Sequence, residues 1–116
     1  MSTRRAEFSQ HVARFVDILG LSDWRVHSKG AEPDANSLAE THIDYDQRLA
    51  HVHLNPEPEP DEDLEALAFH EVLHILLADL DDALDNRDKR TRKRQFSSRE
   101  HGVIERLLKA YLGRSL

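Results

Sequence analysis

The chain reads as an α+β fold, with helices packed on one side of a small, mainly antiparallel sheet. An apolar stripe at helical spacing opens the sequence, period-two alternation occupies its middle, and two further helical stripes close it. No internal repeat is visible, and 116 residues suffice for one core, so residues 1–116 are expected to form a single domain.

Residues 3–19 place Phe8, Val12, Phe15, Val16 and Leu19 on one helical face, with Ser2 or Thr3 suited to the start and Gly20 to the stop. In DWRVHSKG, Trp24 and Val26 alternate with polar neighbours, which predicts a short strand with Trp24 in the core. AEPDANS is loop-like. Two strands follow, 38–45 and 49–54, joined at YDQR. In the second, Leu49, His51 and His53 face one way and Ala50, Val52 and Leu54 the other.

PEPEPDED is an acidic, proline-rich linker that also starts a helix, with Asp61 as its cap. That helix is expected over 63–80, carrying Leu64, Leu67, Ala68, Leu73, Leu76, Leu77 and Leu80. Residues 81–96 are polar, without apolar periodicity beyond Leu84, and are expected as a loop. The last helix, 97–113, sets Val103, Ile104, Leu107, Leu108, Tyr111 and Leu112 on one face.

Composition narrows the function classes. A formal charge of -6 and a pI near 5.7 give no support to nucleic-acid binding by overall charge. The chain has no cysteine, which excludes thiolate zinc sites, disulfides and a cysteine nucleophile. MSTRRAEFSQHVARF has no apolar run suited to a signal peptide, and no stretch approaches membrane-spanning length, so a cytoplasmic location without membrane contact is expected.

The chemistry concentrates in HEVLH, residues 70–74. Positions i and i+4 project from one helical face, so His70 and His74 can reach a single zinc ion at about 2.0–2.1 Å. Glu71 lies beside that axis, where a carboxylate can deprotonate a zinc-activated water whose pKa falls to about 7. At this composition chance produces HExxH in about one chain in twenty, so the spacing alone is moderate evidence. Its surroundings strengthen it. In LEALAFHEVLHILLADL, unpartnered His and Glu would carry a burial cost of a few kcal/mol.

A catalytic zinc needs a third protein ligand and an open position. The last helix offers Glu100, His101 and Glu105. With Ile104 as reference, Glu100 falls about 40° to the Leu107 side, His101 about 60° to the other, and Glu105 about 100° off. Glu100 is therefore the preferred ligand and His101 the alternative. A competing structural role is open to Glu100, because SSRE fits a capping box with Ser97 as cap.

These motifs together resemble a small HExxH zincin of the kind found as phage or prophage open reading frames, with a gluzincin-like third ligand. The resemblance rests on W-R-V in an early strand, HIDYDQRLAHVHLNP, HEVLHILL and a late E-H-G-V-I-E-R-L, and spans most of the chain. It implies a zincin-like fold, a zinc cofactor, and a metallopeptidase acting on a peptide or protein. His70 and His74 would match the ligands, Glu71 the base and Glu100 the downstream glutamate. It further implies that residues 49–54 form the sheet edge that pairs with an extended substrate. One departure is Ile104, which stands where gluzincins often carry an acidic residue supporting a ligand. Asp79 is the candidate for that role instead.

A reading from a different class is a zincin-fold binding or regulatory protein without turnover. Its working surface would be the basic tract 87–94, on DNA or on a protein, as in SprT-like proteases that join HExxH to nucleic-acid contacts. The favoured reading of the tract is a solvated loop balanced by Asp79, Asp81, Asp82, Asp85 and Asp88, since it lacks interleaved aromatics. His42, His51 and His53 are expected to pair across strands, and Tyr45 to serve the turn.

Overall fold

A computed structural model describes residues 3–28, 38–55, 60–82 and 89–114. The elements are α1 (Thr3–Ile18), β1 (Arg25–His27), β2 (Ala39–Asp44), β3 (Leu49–Leu54), α2 (Leu64–Leu76), α3 (Ala78–Asp82) and α4 (Lys89–Leu112). The fold is α+β, as expected. None of the described helices is long and apolar enough to cross a membrane.

Helix α1 buries Phe8, Val12 and Phe15, the predicted stripe, against α2. Its end is a Schellman motif: Gly20 N–H donates to Asp17 O, Leu21 N–H reaches Val16 O, and Gly20 takes φ +69°. Leu21 then enters the core, which turns the chain into β1.

The sheet corrects two expectations. Strand order is β1-β3-β2, with β3 antiparallel to β2 but parallel to β1, so the sheet is mixed rather than mainly antiparallel. Residues 49–54 are consequently the central strand. One of its edges is taken by β2 along all six residues and the other by β1 at residues 49–51, so it is not the sheet edge expected to receive a substrate. The physical reason is burial: Ala50, Val52 and Leu54 all enter the core, whereas the corresponding face of β2 is covered only in part, with Ile43 exposed. The less apolar strand takes the edge. The β2–β3 hairpin turns through residues 45–48, where Arg48 adopts φ 52° and lays its guanidinium over Trp24 and Tyr45, 4.8 and 5.1 Å from their ring centres. Trp24 is buried, as predicted.

Helix α2 is capped by Asp63, not Asp61; its Oδ1 accepts from Ala66 N–H at 3.1 Å. The helix stops at Leu76 instead of continuing to 80, and α3 begins after Leu77. Leu80 is exposed, and among the described side chains of α3 Ala78 is the one that is buried against the core. Arg114 bonds the carboxylates of both Asp63 and Glu65, tying the end of α4 to the start of α2. It holds the Asp63 carboxyl below its usual range, and Arg14 of α1 together with Arg114 does the same for Glu65.

The last helix is the largest departure. It begins at Lys89 rather than 97, so residues 89–94 of the basic tract are helical, while positions 87 and 88 lie outside the described residues. Residue 97 is therefore well inside a helix, and the proposed capping box is excluded because Glu100 is nowhere near a first turn. The buried seam is narrower than the predicted face: Ile104 and Leu108 are fully buried, while Val103 and Leu107 are exposed. Tyr111 is exposed in part yet stacks on Phe69 at 5.2 Å.

Candidate metal centre

Helices α2 and α4 and the edge strand β2 meet around an open cleft of about 870 Å³. Ile104 and Leu108 pin α4 to the core, and one helical turn before Ile104 the same side of α4 carries Glu100 and His101. On α2 the one-turn spacing brings the rings of His70 and His74 to 5.1 Å. His101 completes the group, with its ring 5.7 Å from His70 and 5.2 Å from His74. One ring nitrogen from each of these three histidines lies within 4.8 Å of the other two. It is the one such group of His, Asp or Glu side chains among the described residues.

Glu100, expected to supply the third ligand, takes a different position. Its Oε1 accepts from His74 Nδ1 at 3.2 Å, and its side chain is only 12% exposed. The contact leaves His74 Nε2 to face the cluster, the arrangement in which a carboxylate sets the tautomer of a coordinating imidazole. The 60° offset of His101 from Ile104 is enough to reach the histidines, and the 40° offset of Glu100 on the other side takes it past them to His74's far nitrogen. Glu105 does not line the cleft, and the side chain of Asp79 lies outside the described residues.

Glu71 is 5% exposed and faces β2. Thr41 Oγ1 donates to Glu71 Oε1 at 2.7 Å and also lies 3.3 Å from the Glu71 carbonyl oxygen. Burial pushes the Glu71 carboxyl above its ordinary range, partly offset by the Thr41 hydrogen bond and the nearby histidines. Burial also lowers the His70 pKa to about 4, assisted by His74 and His101, so the ring is neutral near pH 7 and carries a free lone pair. For His74 burial acts downward, but the hydrogen bond and charge of Glu100, with the charge of Glu71, outweigh it and raise the pKa.

The residues fit a divalent ion that takes nitrogen ligands. His70 Nδ1 is buried with no hydrogen-bond partner, so the ring lacks the second contact that a buried imidazole in a purely structural role would have. Three imidazoles beside a cleft are a donor set that such an ion accepts.

Thr41 is a member of the site that the sequence does not mark. Nothing local marks a strand threonine as the partner of a glutamate thirty positions later; only the β2–α2 packing reveals it. Tyr45 lines the cleft and also packs edge-on against Trp24 at 6.1 Å. No family model, no curated protein and no solved structure matches the chain.

Proposed function

We propose that the protein is a zinc-dependent metallopeptidase with a zincin-like arrangement of helix, edge strand and cleft. The observation that carries this reading is the convergence of His70, His74 and His101 beside the buried carboxylate of Glu71. In this reading the three histidines hold the ion, and Glu100 keeps His74 in the tautomer that exposes Nε2. Bound there, zinc supplies Lewis acidity, polarising a carbonyl and acidifying water.

The remaining work falls to side chains of the chain. Glu71 takes the proton from the attacking water and returns it to the departing amine, so its protonation is unchanged over a cycle. Its raised proton affinity suits both halves of that exchange. Thr41 holds one carboxylate oxygen, fixing the direction in which the other points. The extended substrate belongs on β2, the edge strand that lines the cleft, and not on 49–54. An open cleft on so small a chain suits a peptide or unfolded protein better than a small metabolite.

The test is metal content and hydrolysis measured together. Protein purified without chelator should carry zinc and cleave an unfolded protein substrate. Glu71→Gln should keep the zinc and lose the cleavage. A metal-free chain, or cleavage that survives Glu71→Gln, contradicts the proposal.

A further inference from the structure

The strand register gathers a second set of histidines on the opposite side of the sheet. In β3, Ala50, Val52 and Leu54 point into the core, so His51 and His53 point away from the helices. His27 of β1 is the register partner of His51, and so is His42 of β2. Four of the chain's eight histidines thus share one outward face of three short strands. They touch one another. The ring centres of His27 and His51 are 5.5 Å apart, those of His51 and His53 6.2 Å, and those of His42 and His53 5.1 Å.

The face is not uniformly open, since His42 is well exposed and His53 only 8% exposed, and sheet positions favour β-branched or aromatic side chains over histidine. What imidazole offers over threonine or lysine is a neutral nitrogen donor for a borderline metal ion. A strand residue and the next but one on the same face, with a third side chain on the neighbouring strand, present three donors to one point above the sheet. His51, His53 and His42 occupy those three places. A second observation comes from Glu40, whose Oε2 lies 3.0 Å from His42 Nε2. This repeats the relation of Glu100 to His74 and leaves His42 Nδ1 for an ion.

We propose that His42, His51 and His53 form a second site for a divalent transition-metal ion on the outer face of the sheet, with His27 stacked behind His51. The rings do not converge as closely as those of the cleft, where ring nitrogens already lie within 4.8 Å of one another. The centre-to-centre spacings of 5.1 and 6.2 Å nevertheless overlap the 5.1–5.7 Å of the cleft trio. An ion would have to draw the three nitrogens together by rotation about the side-chain bonds, with His53, 8% exposed, the most constrained of the three. His42 is well exposed, so an ion has an approach. This site does not rest on the metallopeptidase reading: Glu40 and His42 border the cleft, but neither belongs to the His70, His74 and His101 group.

Equilibrium dialysis against micromolar free Zn²⁺, followed by elemental analysis, tests it. The wild-type chain should bind two zinc ions. His42→Ala and His51→Ala should each weaken one of them more than about tenfold and leave the other, and Glu71→Gln should bind both. His70→Ala should lose the cleft ion and keep the outer one, which separates failure here from failure of the cleft assignment. Circular dichroism checks each fold, and if His51→Ala unfolds, the exposed His42→Ala decides. The proposal is overturned if the outer ion binds only at millimolar zinc, or if His42→Ala binds zinc as the wild type does.

Discussion

Glu100 Oε1 lies 3.2 Å from His74 Nδ1, and His101, the next residue, groups with His70 and His74. The carboxylate and the histidine next to it in sequence therefore divide the work of α4, one orienting a ligand and the other joining the cluster. Replacing them should have different consequences. His101→Ala should abolish tight zinc binding in the cleft, while Glu100→Gln should weaken it about 10–100-fold and leave a measurable site. Competition with a chromogenic chelator gives both affinities. The reverse ranking would return Glu100 to the ligand set.

Thr41→Val keeps the shape of the side chain and removes the hydroxyl that bonds Glu71. Zinc content should be unchanged and kcat should fall about tenfold, the value of one hydrogen bond to a charged group. That bond lowers the Glu71 pKa, so its loss should move the acidic limb of the kcat profile to higher pH. A profile that drops in height without shifting would mean that Thr41 acts on strand packing alone.

His70 makes the metal-free protein sensitive to acid. Its folded pKa of about 4 lies below the ordinary 6.5, so between those values the unfolded chain binds a proton that the folded chain refuses. This contribution to stability is complete above pH 6.5 and lost as pH falls toward 4. Urea denaturation in excess chelator should show a smaller loss over that window in His70→Asn than in the wild type. Equal losses would place the sensitivity elsewhere.

Ile104 is fully buried and sits one turn after Glu100 on α4. Ile104→Ala should cost about 2–5 kcal/mol of unfolding free energy. Because the same seam holds His101 against α2, zinc affinity should fall with it. Urea midpoints and chelator competition measured on one sample check both, and a destabilised chain with wild-type zinc affinity would uncouple them.

Much of the site was legible because its parts are local. HEVLH states a one-turn spacing, and the apolar letters around it place that turn in a helix. Phe8, Val12 and Phe15 announced α1 in the same way. What failed was anything set by partners distant in sequence. The extent of α4 was missed because residues 89–96 show no apolar stripe, and its helix had no signal in periodicity. Strand order was misjudged because alternation gives the face of a residue and not its neighbour; β3 became central only through pairing with β1. That His101 and not Glu100 groups with His70 and His74 depends on how α4 packs against α2. A helical wheel holds no information on that packing.

The narrow seam of α4 has a consequence for the chain as a whole. Helix α4 meets the core through two fully buried side chains, Ile104 and Leu108. An ion held by His70, His74 and His101 would act as a cross-link closing the loop between α2 and α4. It would stabilise the folded chain by binding it in preference to the unfolded one, in a protein that has no cysteine to make a covalent link. Occupancy of the cleft and attachment of the last helix would then be one equilibrium, and zinc supply would govern how much of the chain is folded.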